Sequence, residues 1–168
     1  MSPARRPHWD LIRALVTDVD GVLTDGGLYD AENGDELKRF DVRDGQGLVR
    51  LREAGRLIAI VTRKHTTIVT RRAHDLGIAE VHQNVTDKAA VLTDLLARRR
   101  LSPSTVCYVD DDLGDLPAMR LAGIAVAVAD AVPEVRRAAT YVTRAKPGHG
   151  AIRELCDLIL AADDHRRA

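Results

Sequence analysis

Residues 105–115 read TVCYVDDDLGD: an apolar run with the character of a buried strand, followed at once by Asp110, Asp111, Asp112 and Asp115. Uninterrupted apolar runs of this kind suit strands covered on both faces. The chain repeats the pattern in ALVTD (14–18), LIAIVT (57–62), the shorter AEVH (79–82), IAVAVA (124–129) and TYVT (140–143). Between these runs, GLVRLREAG, IVTRRAHDLG, KAAVLTDLLARRR and DLPAMRLAG place apolar residues every third or fourth position, as helices do. Three of the four close on a glycine, Gly55, Gly77 or Gly123, the residue that commonly ends a helix. Strand and helix in alternation predict an α/β fold, a doubly wound, Rossmann-like parallel sheet with helices on both faces.

The segment GGLYDAENGDELKRFDVRDG (26–45) departs from the alternation. Asn33-Gly34, the dipeptide favoured in tight hairpin turns, lies between apolar positions at Leu28, Leu37, Phe40 and Val42 and predicts a β-hairpin over about 27–42. A lone two-stranded ribbon has too little to pack against. Association with other copies of the chain is the expected remedy.

The 168 residues, with 25 basic and 25 acidic side chains, suit a single domain spanning 1–168, with a polar tail at about 163–168. A balanced charge gives no general attraction to nucleic acid or to an acidic membrane. No window approaches the roughly 18 apolar residues of a membrane span, and MSPARRPHWD lacks the apolar core of a signal peptide, so a cytoplasmic location is expected. Cys107 and Cys156 read as buried free thiols, and Trp9 as a clamp for the N-terminal segment.

In open parallel sheets, ligands bind beyond the carboxyl ends of the strands, so polar residues there carry the chemistry. The first strand ends in Asp18 and Asp20, the second in Thr62, and the strand of residues 105–110 in the aspartate cluster. Lys88 opens the helix after the short third strand, behind the cap residues Thr86 and Asp87. Two carboxylates about 5 Å apart at an effective dielectric near 20 repel by about 3 kcal/mol, so this rim calls for a cation. An all-oxygen ligand set points to Mg²⁺, which commonly acts on phosphate. The D-x-D spacing lets Asp18 act as nucleophile while Asp20 exchanges a proton with the leaving oxygen. Lys88 and Thr62 then suit the phosphoryl group.

These residues resemble a known family. DVDGVLTDG, Thr62, Lys88 and DDLGD follow, in order, the four motifs of the haloacid dehalogenase superfamily of phosphohydrolases. NGDELKRFDVRDGQGL, AVAVADAVPEV, YVT and GHGAIRELCDLIL are similar to its small branch without a large cap domain, which acts on phosphorylated sugar acids and includes octulosonate 8-phosphate phosphatases. The resemblance covers about residues 10–162 and implies a Mg²⁺-dependent homotetramer whose hairpins lie at neighbouring active sites. It also implies an octulosonate 8-phosphate substrate, with a nine-carbon sugar acid 9-phosphate as the alternative. Carried over position by position, Asp18, Asp20, Thr62 and Lys88 would be catalytic, and Asp18, Asp111 and the main-chain carbonyl of Asp20 would hold the metal. Asp112 and Asp115 would orient Lys88 and metal-bound water, while Lys38, Arg43 and Asp44 would lie near the substrate mouth.

Two positions depart from the resemblance. Asp110 and Arg63 stand where such proteins usually carry glycine beside the phosphate, which suggests altered rate or specificity, or a weakened homologue with a binding or regulatory role. Arg63 is expected among the substrate-binding residues, with Lys38, Arg43, Asp44, Thr62 and Lys88, and is expected to pair with Asp110 across adjacent strand ends. A phosphorelay receiver module also combines acidic residues, threonine and lysine on a parallel sheet. Its lysine comes last, whereas here Lys88 precedes DDLGD, which excludes that class.

Overall fold

The computed structural model describes residues 7–167; the first six residues, part of the segment weighed above as a signal peptide, and Ala168 lie outside them. Six strands form one parallel sheet: β1 (Ala14–Thr17), β4 (Leu57–Val61), β5 (Glu80–His82), β6 (Val106–Asp110), β7 (Ile124–Ala127) and β8 (Tyr141–Val142). Their spatial order is β5-β4-β1-β6-β7-β8. The chain therefore runs outward from β1 on one side and then returns to fill the other, which places the switch of direction at β1 between β4 and β6. Every residue of β1 and β6 is buried, which accounts for their unbroken apolar character.

Six helices join and cover the strands: α1 (Val42–Glu53), α2 (Thr67–Asp75), α3 (Lys88–Arg99), α4 (Leu116–Met119), α5 (Pro133–Ala138) and α6 (Ala151–Arg167). α1 packs on α6, and Gly45 of α1 lies against Arg72 and Leu76 of α2 and its C-terminal end, while α3 meets α4. Asp41, Thr66 and Asp87 cap α1, α2 and α3, each accepting a hydrogen bond from a first-turn N–H. Gly55 and Gly77 adopt the left-handed conformation expected at helix ends, with φ of 82° and 66°. Gly123 does not. The helix expected to reach it stops at Met119, and glycine is required at 123 because a Cβ there would lie 2.3 Å from the Ser104 carbonyl oxygen. α6 continues through Arg167 into the polar tail, with Asp163 paired to Arg56.

The hairpin forms, but around a longer turn. β2 (Tyr29–Asp30) pairs antiparallel with β3 (Glu36–Leu37). Gly34 N–H donates to the Ala31 carbonyl and Ala31 N–H to that of Asp35, both at 2.9 Å. Gly34 takes a φ of 84° while Asn33 stays out of the left-handed region, so this is a three-residue turn with a glycine bulge rather than a two-residue Asn-Gly turn. Leu28, Leu37 and Val42 are 69%, 64% and 82% exposed along this segment.

Trp9 packs edge-on against Tyr141, with ring centroids 5.3 Å apart, and ties the N-terminal segment to the domain. Both cysteines are free and buried. No helix among the described residues is long and apolar enough to cross a membrane.

Asp44, expected at the substrate mouth, does other work in the single chain. Its buried carboxylate accepts N–H bonds from Gly150 at 3.3 Å and Arg153 at 2.8 Å, so that α1 caps the start of α6. Burial nevertheless raises its carboxyl above the usual range, outweighing those two donors. Replacing Asp44 with alanine leaves these amides without their acceptor, at a cost of about 2 kcal/mol. The expected fall in Tm, measured by scanning calorimetry, is roughly 4–8 °C for a domain of this size.

Candidate active site

The switch of direction at β1 opens a cleft beyond the carboxyl ends of β1, β4 and β6, where side chains from four segments converge. Its volume is about 310 Å³, and Asp18, Asp20, Thr62, Arg63, Lys88, Asp111, Asp112 and Asp115 all contribute to its walls. Asp18 immediately follows β1, Thr62 follows β4, Lys88 begins α3, and Asp111 follows β6. Sheet topology thus gathers residues separated by up to 97 positions, counted from Asp18 to Asp115.

The turn after β1 is built around Thr24, a residue the reading of the sequence passed over inside its TDVDGVLTDG motif. The Thr24 hydroxyl accepts N–H bonds from Gly21 and Gly26, both at 3.3 Å, and closes back on the Val19 carbonyl. Gly21 needs its φ of 76°, and it also needs its missing side chain. A Cβ there would lie 2.1 Å from Asp111 Oδ2. The Asp111 carboxylate therefore rests directly over the turn that carries Asp18 and Asp20.

Lys88 is the buried cation of the cleft. Its Nζ lies 2.8 Å from Asp18 Oδ2 and 3.5 Å from Asp110 Oδ2, and it also pairs with Asp115. Burial opposes its charge, but the surrounding carboxylates outweigh burial and push its pKa up to about 12. Asp18 is raised by burial in spite of Lys88, and Asp110 is raised well above the usual range by burial and by its acidic neighbours. One ammonium does not balance this many carboxylates.

Asp18, Asp110 and Asp115 bring oxygens within 4.8 Å of one another, a grouping that could itself suggest a metal site. The Lys88 ammonium already occupies the centre of that group, so a divalent ion there would have to displace it against strong repulsion. Asp111 lies over the Gly21 turn and makes no ion pair with Lys88 among the described residues. Burial and repulsion from Asp18 and Asp112 raise the Asp111 pKa to about 6. Asp111, a cleft carboxylate with no ion-pair partner among the described residues, suits a hard divalent cation with oxygen ligands.

The remaining residues divide. Lys38 reaches in from the hairpin and donates to Asp20 Oδ1 at 2.6 Å, while also pairing with Glu36 at 2.9 Å. Arg43 and Asp44 do not line the cleft of the single chain: Arg43 pairs with Asp41 and donates to the His149 carbonyl. Asp115 holds Lys88, whereas exposed Asp112 accepts from Leu113 N–H at 2.7 Å and caps the short 3-10 turn at 113–115. Lys64 was missed by the reading of the sequence, since a lysine beside a helix start carries no signal of its own; it lines the cleft and pairs with Glu36 at 3.3 Å. The expected pairing of Asp110 with Arg63 does not form. Asp110 is wholly buried and turns inward, its Oδ1 accepting Asp111 N–H at 2.7 Å and its Oδ2 facing Lys88. The exposed Arg63 guanidinium instead lies against Gly114.

A carboxylate at the tip of β1, a second two residues on, and a buried ammonium beside further carboxylates fit the class of phosphoryl-transfer hydrolases. The chain belongs to the haloacid dehalogenase-like hydrolases, whose family pattern matches residues 49–155. It is 46% identical over 153 residues to the 3-deoxy-D-manno-octulosonate 8-phosphate phosphatase of Yersinia pestis, a match covering 91% of this chain and 82% of that protein. The enzyme of the same name from Escherichia coli K12 is 46% identical over 151 residues, covering 90% of this chain and 80% of that protein. The crystal structure of the Moraxella catarrhalis phosphatase with magnesium ion, phosphate ion and KDO has a TM-score of 0.91 and 37% identity, covering 94% of this chain and 91% of that chain.

Gly21→Ala is expected to displace Asp111 and weaken divalent-cation binding more than tenfold, read by isothermal titration, while circular dichroism stays unchanged. The pH dependence has a definite sign. Below about 6 a cation must displace a proton from Asp111, so its apparent affinity should fall about tenfold per pH unit and level off above 7. Without cation, the raised pKa means that the folded state retains a proton the unfolded chain has already lost. This contribution to stability is therefore lost as pH rises through about 6.

Proposed function

We propose that this chain is a Mg²⁺-dependent phosphatase that hydrolyses 3-deoxy-D-manno-octulosonate 8-phosphate through an aspartyl-phosphate intermediate. The observation that carries the reading is the convergence of Asp18, Asp20, Thr62, Lys88 and Asp111 on one cleft at the switch point of the sheet. The extent of identity to the octulosonate 8-phosphate phosphatases supports the substrate.

Asp18 Oδ1 is held by Val19 N–H at 2.6 Å, which fixes the carboxylate at the strand tip and leaves Oδ2 facing the cleft beside Lys88. Oδ2 attacks phosphorus, the bond from phosphorus to the sugar oxygen breaks, and Asp20 donates a proton to that oxygen. Asp20 then takes a proton from water, whose oxygen attacks the same phosphorus; the bond to Asp18 breaks and inorganic phosphate leaves. Lys38 positions Asp20 for both transfers. Thr62 lies at the tip of β4, its main chain fixed by N–H donation to the His82 carbonyl at 2.9 Å, and presents its hydroxyl to the phosphoryl oxygens. Mg²⁺, held by Asp18, Asp111 and the Asp20 carbonyl, would draw charge from those oxygens.

The exposed apolar residues of the hairpin support a homotetramer in which each ribbon packs against a neighbour and narrows its cleft. Without a large cap, a single chain leaves that cleft open to solvent.

With Mg²⁺, phosphate release in a panel of sugar phosphates should be fastest with octulosonate 8-phosphate. Asp18→Asn or a chelator should lower turnover at least 1,000-fold. Preference for a nine-carbon sugar acid 9-phosphate would refute the substrate, and turnover by Asp18→Asn would refute the mechanism. Light scattering should give four chains per particle, and Leu28→Asp with Leu37→Asp should reduce that number.

A further inference from the structure

The reading of this cleft as a phosphoryl site leaves one difficulty, which lies in the hydrogen-bonding capacity of Lys88. An ammonium has three N–H donors. Three carboxylates, those of Asp18, Asp110 and Asp115, already surround Nζ. When Asp18 turns to a phosphorus atom it releases one donor, but Asp110 has no such freedom. It is 0% exposed, and its Oδ1 is fixed by Asp111 N–H at 2.7 Å and Asp112 N–H at 3.4 Å. Asp110 and Asp115 therefore keep hold of Lys88 and turn its charge inward, away from an incoming dianion.

The other cations near the cleft are also engaged, Lys64 by Glu36 and Lys38 by Asp20 and Glu36. Arg63 is the exception. It lines the cleft directly after Thr62, and no carboxylate among the described residues forms an ion pair with it. Its side chain has a seat. Nη2 lies 3.0 Å from the place where a Cβ of Gly114 would stand, so the lack of a side chain at 114 lets the guanidinium lean from the end of β4 toward the loop after β6. A guanidinium so placed spans the mouth of the cleft with its donors free, and its planar fork matches two phosphoryl oxygens at once.

We infer that Arg63 is the principal cationic anchor for the phosphoryl group in this protein, in compensation for Asp110, which commits Lys88 to the carboxylate cluster. The two residues are coupled without touching. Arg63 supplies the positive charge at the cleft surface that Asp110 withdraws from it, and losing Arg63 is harmful only while Asp110 is present.

Binding of inorganic phosphate in the presence of Mg²⁺, measured by isothermal titration, tests this without reference to the sugar. Turnover of an aryl phosphate by the same proteins gives KM and kcat. Arg63→Gly should weaken phosphate binding at least tenfold and raise KM more than it lowers kcat. Arg63→Lys should recover part of the loss. Asp110→Gly should bind phosphate at least as tightly as the unaltered protein. The double variant should recover most of what Arg63→Gly loses, because Lys88 is then free to face the ligand. If Asp110→Gly does not fold, Asp110→Asn serves in its place, since it keeps an acceptor for the two amides and removes the carboxylate. Phosphate affinity of Arg63→Gly within twofold of the unaltered protein would overturn the inference, as would a double variant no better than Arg63→Gly. Failure of the unaltered protein to bind phosphate at all would overturn this inference together with the phosphatase reading.

Discussion

The ammonium of Lys88, buried among Asp18, Asp110 and Asp115, is the interaction on which the cleft depends. Asp18 and Asp110 sit at strand tips, where a parallel sheet crowds main-chain ends together, and Asp115 closes the 3-10 turn that follows β6. Removing a lone buried cation from such a cluster would leave charges that cost several kcal/mol each. The site is therefore stable only as an assembly: the loop after β6 holds its aspartates in place against the Lys88 that α3 delivers. The helix begins at the one residue whose side chain is needed, and Asp87 caps it by accepting from Ala90 N–H at 2.9 Å.

A single lysine leaves excess negative charge, and the excess is not spread evenly. Lys88 pairs with the inner side of the cluster, whereas Asp111 lies over the Gly21 turn, where burial and repulsion from Asp18 and Asp112 outweigh the pull of the more distant Lys88. That asymmetry divides the cleft into a side where the protein supplies a cation of its own and a side that calls for an external one. The same division separates the residues that stabilise the fold from those that would perform chemistry. Asp115 and Asp110 belong to the first group, and Asp18 belongs to both. In the proposed mechanism the nucleophile is thus also a structural ion-pair partner, held at the strand tip by Val19 N–H and Lys88.

Much of this was legible in the sequence for reasons that are local. Apolar runs of four to six residues mark strands buried on both sides, and the observed strands fall where those runs do. Asp18, Thr62 and Asp111 could be placed at strand ends because each directly follows such a run. The hairpin was visible through Asn33-Gly34, although its turn type was not, since the dihedral angles of Asn33 are decided by the bulge at Gly34. Gly123 was misread as a helix terminator, because a glycine demanded by a distant backbone looks in sequence like one demanded by a local bend.

The sequence by itself determined the alternation of elements, the identity of the acids and cations available, and the strand ends on which they are carried. Only the tertiary structure decided which of them meet. It turned Asp110 toward Lys88 rather than Arg63, gave Asp44 to the start of α6, and left Arg63 free beside Gly114. The physical reason is that periodicity records how deeply each residue is buried, which is a property of single positions. The partner of a charge depends instead on the order in which strands pair and on the room that neighbouring side chains leave, and both are settled by contacts between residues far apart in the chain.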